Sequence, residues 1–332
     1  MYIVESYTLA VVLTFVTMLC WGSWANTQKL AEKSWRFELF YWDYVIGIVL
    51  MSLFFAFTLG SIGDQGRDFL ADLKQVDPSN IQKAMLGGVI FNAANILVAA
   101  AIAIAGMSVA FPVGIGIALV LGVIINYIAT PQGNAVWLFA GVGLVTVAIV
   151  IDALAYRRKA SQAMKVPTKG IVLSLVGGVM MALFYRFVAS SMADDFVHPK
   201  AGFLTPYTAT VFFSLGILLS NLLFNTILMK KPFEGTPVSY IQYFKGGLKE
   251  HLTGILGGMI WCIGMSLSII AAGKAGFPIS YGLGQGATLV AALWGVFIWK
   301  EFKGSKGTSG LLTAMFLLFV VGISLIIYAG SH

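Results

Sequence analysis

Apolar residues along this chain gather into ten long stretches separated by short polar runs. They lie at approximately 7–28, 40–60, 85–105, 110–128, 135–155, 171–193, 206–229, 252–272, 277–299 and 310–329. Each meets or approaches the ~20 apolar residues that carry a helix across ~30 Å of hydrocarbon. The pattern predicts an all-α integral membrane protein with ten transmembrane helices. Between the second and third spans, residues 64–83 mix Asp64, Asp68, Asp72 and Asp77 with basic residues, and read as a water-facing, partly helical loop.

Composition agrees with a lipid environment. Of the 332 residues, 58% are hydrophobic and 11% charged, against roughly 25% charged in a soluble domain. The residues ahead of the first span include Glu5 and neither Lys nor Arg, so the basic flank of a signal peptide is missing. Cys20 and Cys262 fall inside spans and offer neither a disulfide framework nor a metal site. No H-E-x-x-H or G-x-S-x-G occurs, and the G-x-G pairs at Gly114 and Gly282 lie within spans and follow no strand. No cofactor, metal or enzymatic chemistry is therefore expected. The net charge of +7 lies between spans and is not a nucleic-acid signal.

The charge does carry topology. Odd-numbered loops hold fifteen Lys and Arg residues and even-numbered loops five. Cytoplasmic loops carry the excess of basic residues. The expectation is a multi-pass protein of the inner (plasma) membrane, with both termini outside the cytoplasm and the loop at 156–170 inside.

The chain also repeats itself. LGGVIFNAAN followed by AFPVGIGIALVLGV, from Leu86 to Val123, resembles LGGMIWCIGM followed by GFPISYGLGQGATLVAALWGV, from Leu256 to Val296. Gly87 and Gly88 match Gly257 and Gly258, and Phe111-Pro112 matches Phe277-Pro278. Five spans per half is an odd number, so the second half sits upside down relative to the first. The predicted organisation is a first five-helix repeat (1–156), a basic cytoplasmic linker (157–169) and a second, inverted repeat (170–332). Inverted repeats are common in secondary transporters, which hold their solute near the midplane between the halves. Pairs such as Gly254 with Gly258, Gly282 with Gly286, and Gly141 with Gly143 suit close helix packing.

Polar groups inside spans mark candidate sites. Asn92 and Asn95 share a face of the third span, Gln285 lies deep in the ninth, and Trp21 and Trp24 flank Gly22-Ser23 in the first. Aromatic faces beside amide donors and acceptors suit a sugar ring or a planar ureide. Trp24 also reads as an interfacial anchor. Asp43, about one turn inside the second span behind Phe40, Tyr41 and Trp42, is a candidate proton-coupling acid, with Glu5 as the next candidate. A Glu5–Arg186 ion pair is a plausible way to neutralise Arg186 in the sixth span. Asp152 and Lys274 read as interfacial, and His198, His251 and His332 as solvated.

Several of these segments resemble the plant ureide permease family: the opening MYIVES, WGSW in the first span, Asp43-Tyr44, AFTLGSIG at 56–63, Gly87-Gly88, Asn95, Asn126-Tyr127, and WGV followed by Glu301. The likeness covers nearly the whole chain. It is more specific than the drug/metabolite transporter fold, which also includes bacterial rhamnose and glucose porters. The resemblance implies a ten-span, proton-coupled solute importer. Ureide permeases carry a long cytoplasmic insert between their halves, and this chain has only the short linker. That difference favours a sugar as the solute of a proton symporter. A ureide or nucleobase permease, a metabolite or drug exporter, and a non-transport membrane enzyme or structural subunit are the alternatives.

Overall fold

The computed structural model describes residues 1–31, 35–105, 107–159, 167–233, 235–305 and 307–331. Lys33, Lys165, Lys306, His332 and linker residues 160–166 lie outside them, as do the side chains of Phe111 and Pro112. The chain is all-helical: α1 (Tyr7–Ser23), α2 (Phe37–Phe57), a short α3 (Phe69–Gln75), α4 (Pro78–Ala105), α5 (Met107–Ala129), α6 (Ala135–Lys159), α7 (Thr168–Ala189), α8 (Pro206–Lys230), a short α9 (Tyr240–Phe244), α10 (Leu248–Ala275), α11 (Phe277–Gly284), α12 (Ala287–Leu293) and α13 (Ser309–Ser331). Among the described residues, nine helices are long and apolar enough to cross a membrane, and the shorter apolar Val113–Ala129 makes a tenth. The fold is a ten-span membrane protein.

Local chemistry sets the helix ends. Ser6 caps α1 by accepting from the Leu9 N–H, and Asp68 caps α3 by accepting from that of Ala71. Ser239 and Gln242 form a reciprocal capping box at α9. Gly276 joins α10 to α11 at φ +84°, a conformation that side chains resist, and Pro278 follows in the first turn of α11.

Two spans are less regular than their hydropathy predicts. The first leaves α-helical form at Trp24 and continues as a tighter 3₁₀ turn through Leu30. The ninth breaks between α11 and α12. Gly282, Gly284 and Gly286 surround Gln285 there, and each Gly costs a helix ~1 kcal/mol relative to Ala. Tight turns carry the chain across, with Gly286 N–H donating to Leu283 C=O (2.9 Å) and Thr288 N–H to Gln285 C=O (3.3 Å). Past α12 the helix widens over Trp294–Ile298, where Trp299 N–H reaches back to Trp294 C=O (2.9 Å).

α4 packs on α7 and α8, and α10 packs on α1 and α2. α5 packs on α7, as α11 and α12 do on α1, while α6 pairs with α13 and α2 with α8. At the α4–α8 crossing a Cβ on Gly88 would run into the Phe213 carbonyl; at the α2–α10 crossing a Cβ on Gly258 would run into that of Tyr44. Gly216 and Gly47 make the reciprocal approaches to Met85 and Ile255. The duplicated glycines are thus where backbones meet across the two halves. Gly143 is different, because nothing lies within 4 Å of a Cβ placed there. It is not the packing residue its spacing suggests.

Lipid tails remove most of the hydrophobic drive for helix association, leaving van der Waals packing and hydrogen bonds of ~0.6 kcal/mol each on average. Thr17 Oγ1 donates to Gly264 C=O (2.9 Å), Ser52 pairs with Ser214 (2.8 Å), and the Asn225 amide donates to Glu38 C=O (2.9 Å). Phe91, Phe184, Phe213 and Trp261 form an interlocked aromatic cluster at the centre.

One face of the bundle is sealed. Tyr2 N–H donates to Leu59 C=O (2.7 Å) and the Tyr207 hydroxyl to Tyr2 C=O (2.9 Å). Asp72, on α3, holds Arg67 (2.7 Å) and accepts from the Thr205 N–H at the start of α8 (2.8 Å). The opposite face carries the basic odd-numbered loops and is open.

Candidate functional site

A cavity of about 960 Å³ enters the bundle from the open face. Its mouth is formed by Lys29, Arg36, Glu38, Trp299 and Glu301. Its inner wall is built from Trp21, Trp24, Phe91, Asn95, Asp152, Phe184, Trp261 and Gln285. The aromatic cluster closes the inner end, with Phe91 and Phe184 each 2% exposed.

The tryptophans are held rigidly. Trp21 stacks on Trp261 at 6.0 Å and 15°, and its indole N–H donates to the Trp261 carbonyl (3.2 Å). Trp24, at the start of the 3₁₀ turn, packs its ring 4.6 Å from that of Tyr44. Trp24 is therefore part of the cavity wall as well as near the open face.

The two asparagines separate. Asn95 faces the cavity, and its amide donates to the Tyr41 hydroxyl (3.1 Å). Asn92 is fully buried behind the wall: it accepts from the Tyr41 hydroxyl (2.9 Å) and donates to Ser220 Oγ (2.9 Å). Asn92 is not positioned to touch solute, because α2 and α8 occupy its hydrogen bonds. Tyr41, which the sequence reading used only as an apolar neighbour of Asp43, bridges the pair and fixes Asn95.

Gln285 sits where the ninth span breaks. It is 8% exposed, lines the cavity, and among the described residues no hydrogen bond reaches its side-chain amide. Its two donors and its acceptor are thus left for whatever occupies the cavity.

The charged candidates rearrange more. Asp43 is 2% exposed but lies outside the cavity wall. It accepts from the Tyr243 hydroxyl (2.7 Å) and pairs with His251 Nδ1 (2.9 Å). This clamp ties α2 to α9 and α10. His251 is accordingly not a solvated residue; Trp35 and Tyr243 pack edge-on against its ring. Burial, with the Asp43 carboxylate beside it, pushes the Tyr243 hydroxyl above its ordinary range. Glu5 is exposed and accepts from Gln65 (3.4 Å); no ion pair joins it to Arg186 among the described residues. The two sit on different local structures, Glu5 against the Gln65 loop and Arg186 in the last turn of α7. On the sealed face, backbone N–H groups of His198 and Val197 hold Asp195 below the usual carboxylate range.

Asp152 is not interfacial, as its place near a span end suggests, but lines the cavity wall, with Oδ1 buried and without a hydrogen-bond partner among the described residues. One turn further on, the Tyr156 hydroxyl donates to Glu301 Oε2 (2.9 Å), and Lys29 lies 3.5 Å from Glu301 Oε1. An acid seven residues inside a span is the signal that would have found it.

The family model for the ureide permeases matches residues 40–168 and 157–329. The chain belongs to the ureide permease family. Ureide permease 1 of Arabidopsis thaliana is 24% identical over 389 aligned positions, covering all of both chains. Ureide permease 4 of the same plant is 25% identical over 400, again covering all of both. Probable ureide permease A3 of Vigna unguiculata is 24% identical over 92% of this chain and 98% of its own. These alignments are longer than the 332-residue chain, so the relatives carry segments that this ureide permease homologue lacks. A protein known from a crystal structure shares the fold, with a TM-score of 0.64 at 18% identity over 98% of this chain and 99% of its own. Membership makes this permease a membrane transporter of small solutes. The expected placement in a sugar-porter branch finds no support in these matches.

Proposed function

We propose that this permease carries a ureide-type solute across the plasma membrane by proton symport, through the cavity between its halves. The unpartnered amide of Gln285 carries the reading. Ureides are compact and built from planar urea units, with alternating N–H donors and C=O acceptors. A carboxamide offers the complementary pair, and Gln285 and Asn95 present two of them to one space. The indole faces of Trp21, Trp24 and Trp261 supply flat apolar surface for a planar ring. Binding sites of this kind are mostly apolar, with a few placed polar groups. A discontinuous helix at the repeat interface is where secondary transporters hold their solutes. With the basic loops in the cytoplasm, the cavity is inward-facing, the Tyr2–Asp72–Thr205 side is the closed outer gate, and both termini lie outside.

Counterflow in proteoliposomes tests the solute class. Radiolabelled allantoin and uracil are offered beside glucose and rhamnose. Exchange of the N–H-bearing compounds with exclusion of the sugars is the expected result. Sugar exchange without ureide exchange, or no exchange of any of the four, overturns the reading.

A further inference from the structure

Asp152 stands apart from the other enclosed acids of this protein. Glu38 is held by Arg36, Asp43 by His251 and Tyr243, Asp72 by Arg67 and Thr205, and Glu301 by Tyr156 and Lys29. Asp152 is half-buried, but its Oδ1 is enclosed and has no hydrogen-bond donor among the described residues. It lies seven residues before the end of α6, hence ~10 Å inside the helix at 1.5 Å per residue, and it faces the cavity that also holds Gln285. An ionised carboxylate oxygen without a donor in a low-dielectric wall is costly. A proton at that oxygen removes the cost.

The surroundings supply a route. Tyr156 is one turn closer to the mouth on the same helix, and its hydroxyl binds Glu301, which pairs with Lys29 at the entrance. The charged and titratable groups around Asp152 are thus Glu301 and Tyr156, with Lys29 beyond Glu301 and Lys159 over the Tyr156 ring (5.8 Å). α5 and α13, which also pack on α6, bring no titratable group to this level; Tyr127 and Tyr328 lie near the other end, against Phe139 and Trp137.

We infer that Asp152 is the proton-carrying group of this transporter, and that Tyr156, Glu301 and Lys29 line the path by which its proton meets the open face. The inference rests on the proton-symport reading above. In each cycle an O–H bond forms at Asp152 as a hydronium ion on the outer side becomes water, and it breaks again when the proton passes to water in the cytoplasm-facing cavity. Asp43, clamped outside the wall, takes no part.

The test uses proteoliposomes loaded with wild type, Asp152→Asn or Asp152→Glu. Accumulation of allantoin is measured under an imposed proton gradient, and counterflow without one. For one proton per solute, one pH unit corresponds to about 1.4 kcal/mol and supports about tenfold accumulation. Wild type and Asp152→Glu should reach it, whereas Asp152→Asn should equilibrate without accumulating and still show counterflow. On wild-type protein, a hydrophobic carbodiimide should modify Asp152, more slowly as pH rises, and bound allantoin should slow it further; peptide mass spectrometry reads the site whether or not the variant folds. Accumulation by Asp152→Asn equal to wild type, or no carbodiimide adduct on Asp152, overturns the assignment. Wild type that exchanges allantoin but ignores the proton gradient overturns the symport reading and this inference with it.

Discussion

Replacing Gln285 with leucine separates solute binding from folding in one experiment. Gln285 is 8% exposed, and its amide, in the cavity wall, has no partner among the described residues. Leucine breaks no side-chain hydrogen bond among the described residues, so the melting temperature should hold. The solute loses at least one hydrogen bond to a buried group, ~1–3 kcal/mol, or roughly 5- to 150-fold in affinity. Asn92→Leu is the control with the opposite sign. It breaks bonds to Tyr41 of α2 and Ser220 of α8 and leaves the Tyr41 O–H without its acceptor. That variant should melt lower, with a smaller change in affinity transmitted through the Tyr41–Asn95 bond. Detergent-solubilised protein supplies both readouts: allantoin titration by scintillation proximity, and thermal unfolding followed by size exclusion. A Gln285→Leu variant that binds as wild type, or that melts several degrees lower, refutes the argument.

Two further outcomes follow from the packing. Gly258→Ala should destabilise by ~1–3 kcal/mol, the usual cost of overpacking, because its Cβ meets the Tyr44 carbonyl, while Gly143→Ala should be near neutral in the same thermal assay. Asp43→Asn should lower the melting temperature by weakening the His251–Tyr243 clamp yet leave proton-driven accumulation intact; loss of accumulation at unchanged stability would return Asp43 to the coupling role.

Much of the architecture was legible because hydropathy and glycine spacing act locally. Ten spans follow from length alone, and Gly88 and Gly258 mark crossings because only a bare Cα admits a carbonyl that close. The site was legible in part. Gln285, Asn95, Trp21 and Trp24 were readable as polar or amphipathic groups in lipid. Asn92 was not separable from Asn95 by spacing, since three residues on a helix share a face but differ in which neighbour meets them. Asp43 drew attention as a charge in a span, and its partner His251 lies 208 residues away, beyond the reach of any local rule. Asp152 was discounted for its closeness to a helix end, although the α6 end and the widened turn after α12 together fold that level into the cavity wall.

The glycine crossings also shape the molecule mechanically. α2, α4, α8 and α10 interlock carbonyl against bare Cα on both sides of the pseudo-twofold, with no side chain between them to act as a bearing. The same close approach recurs outside them: a Cβ on Gly22 of α1 would meet the Ala287 carbonyl of α12, and one on Gly141 of α6 would meet that of Gly322 on α13. Trp21 and Gln285 thus sit beside one such joint, and Asp152 on a helix held by another. Side chains at these seams cannot grow without pushing a neighbouring helix away, so the cavity wall inherits its shape from backbone contacts rather than from the residues that line it.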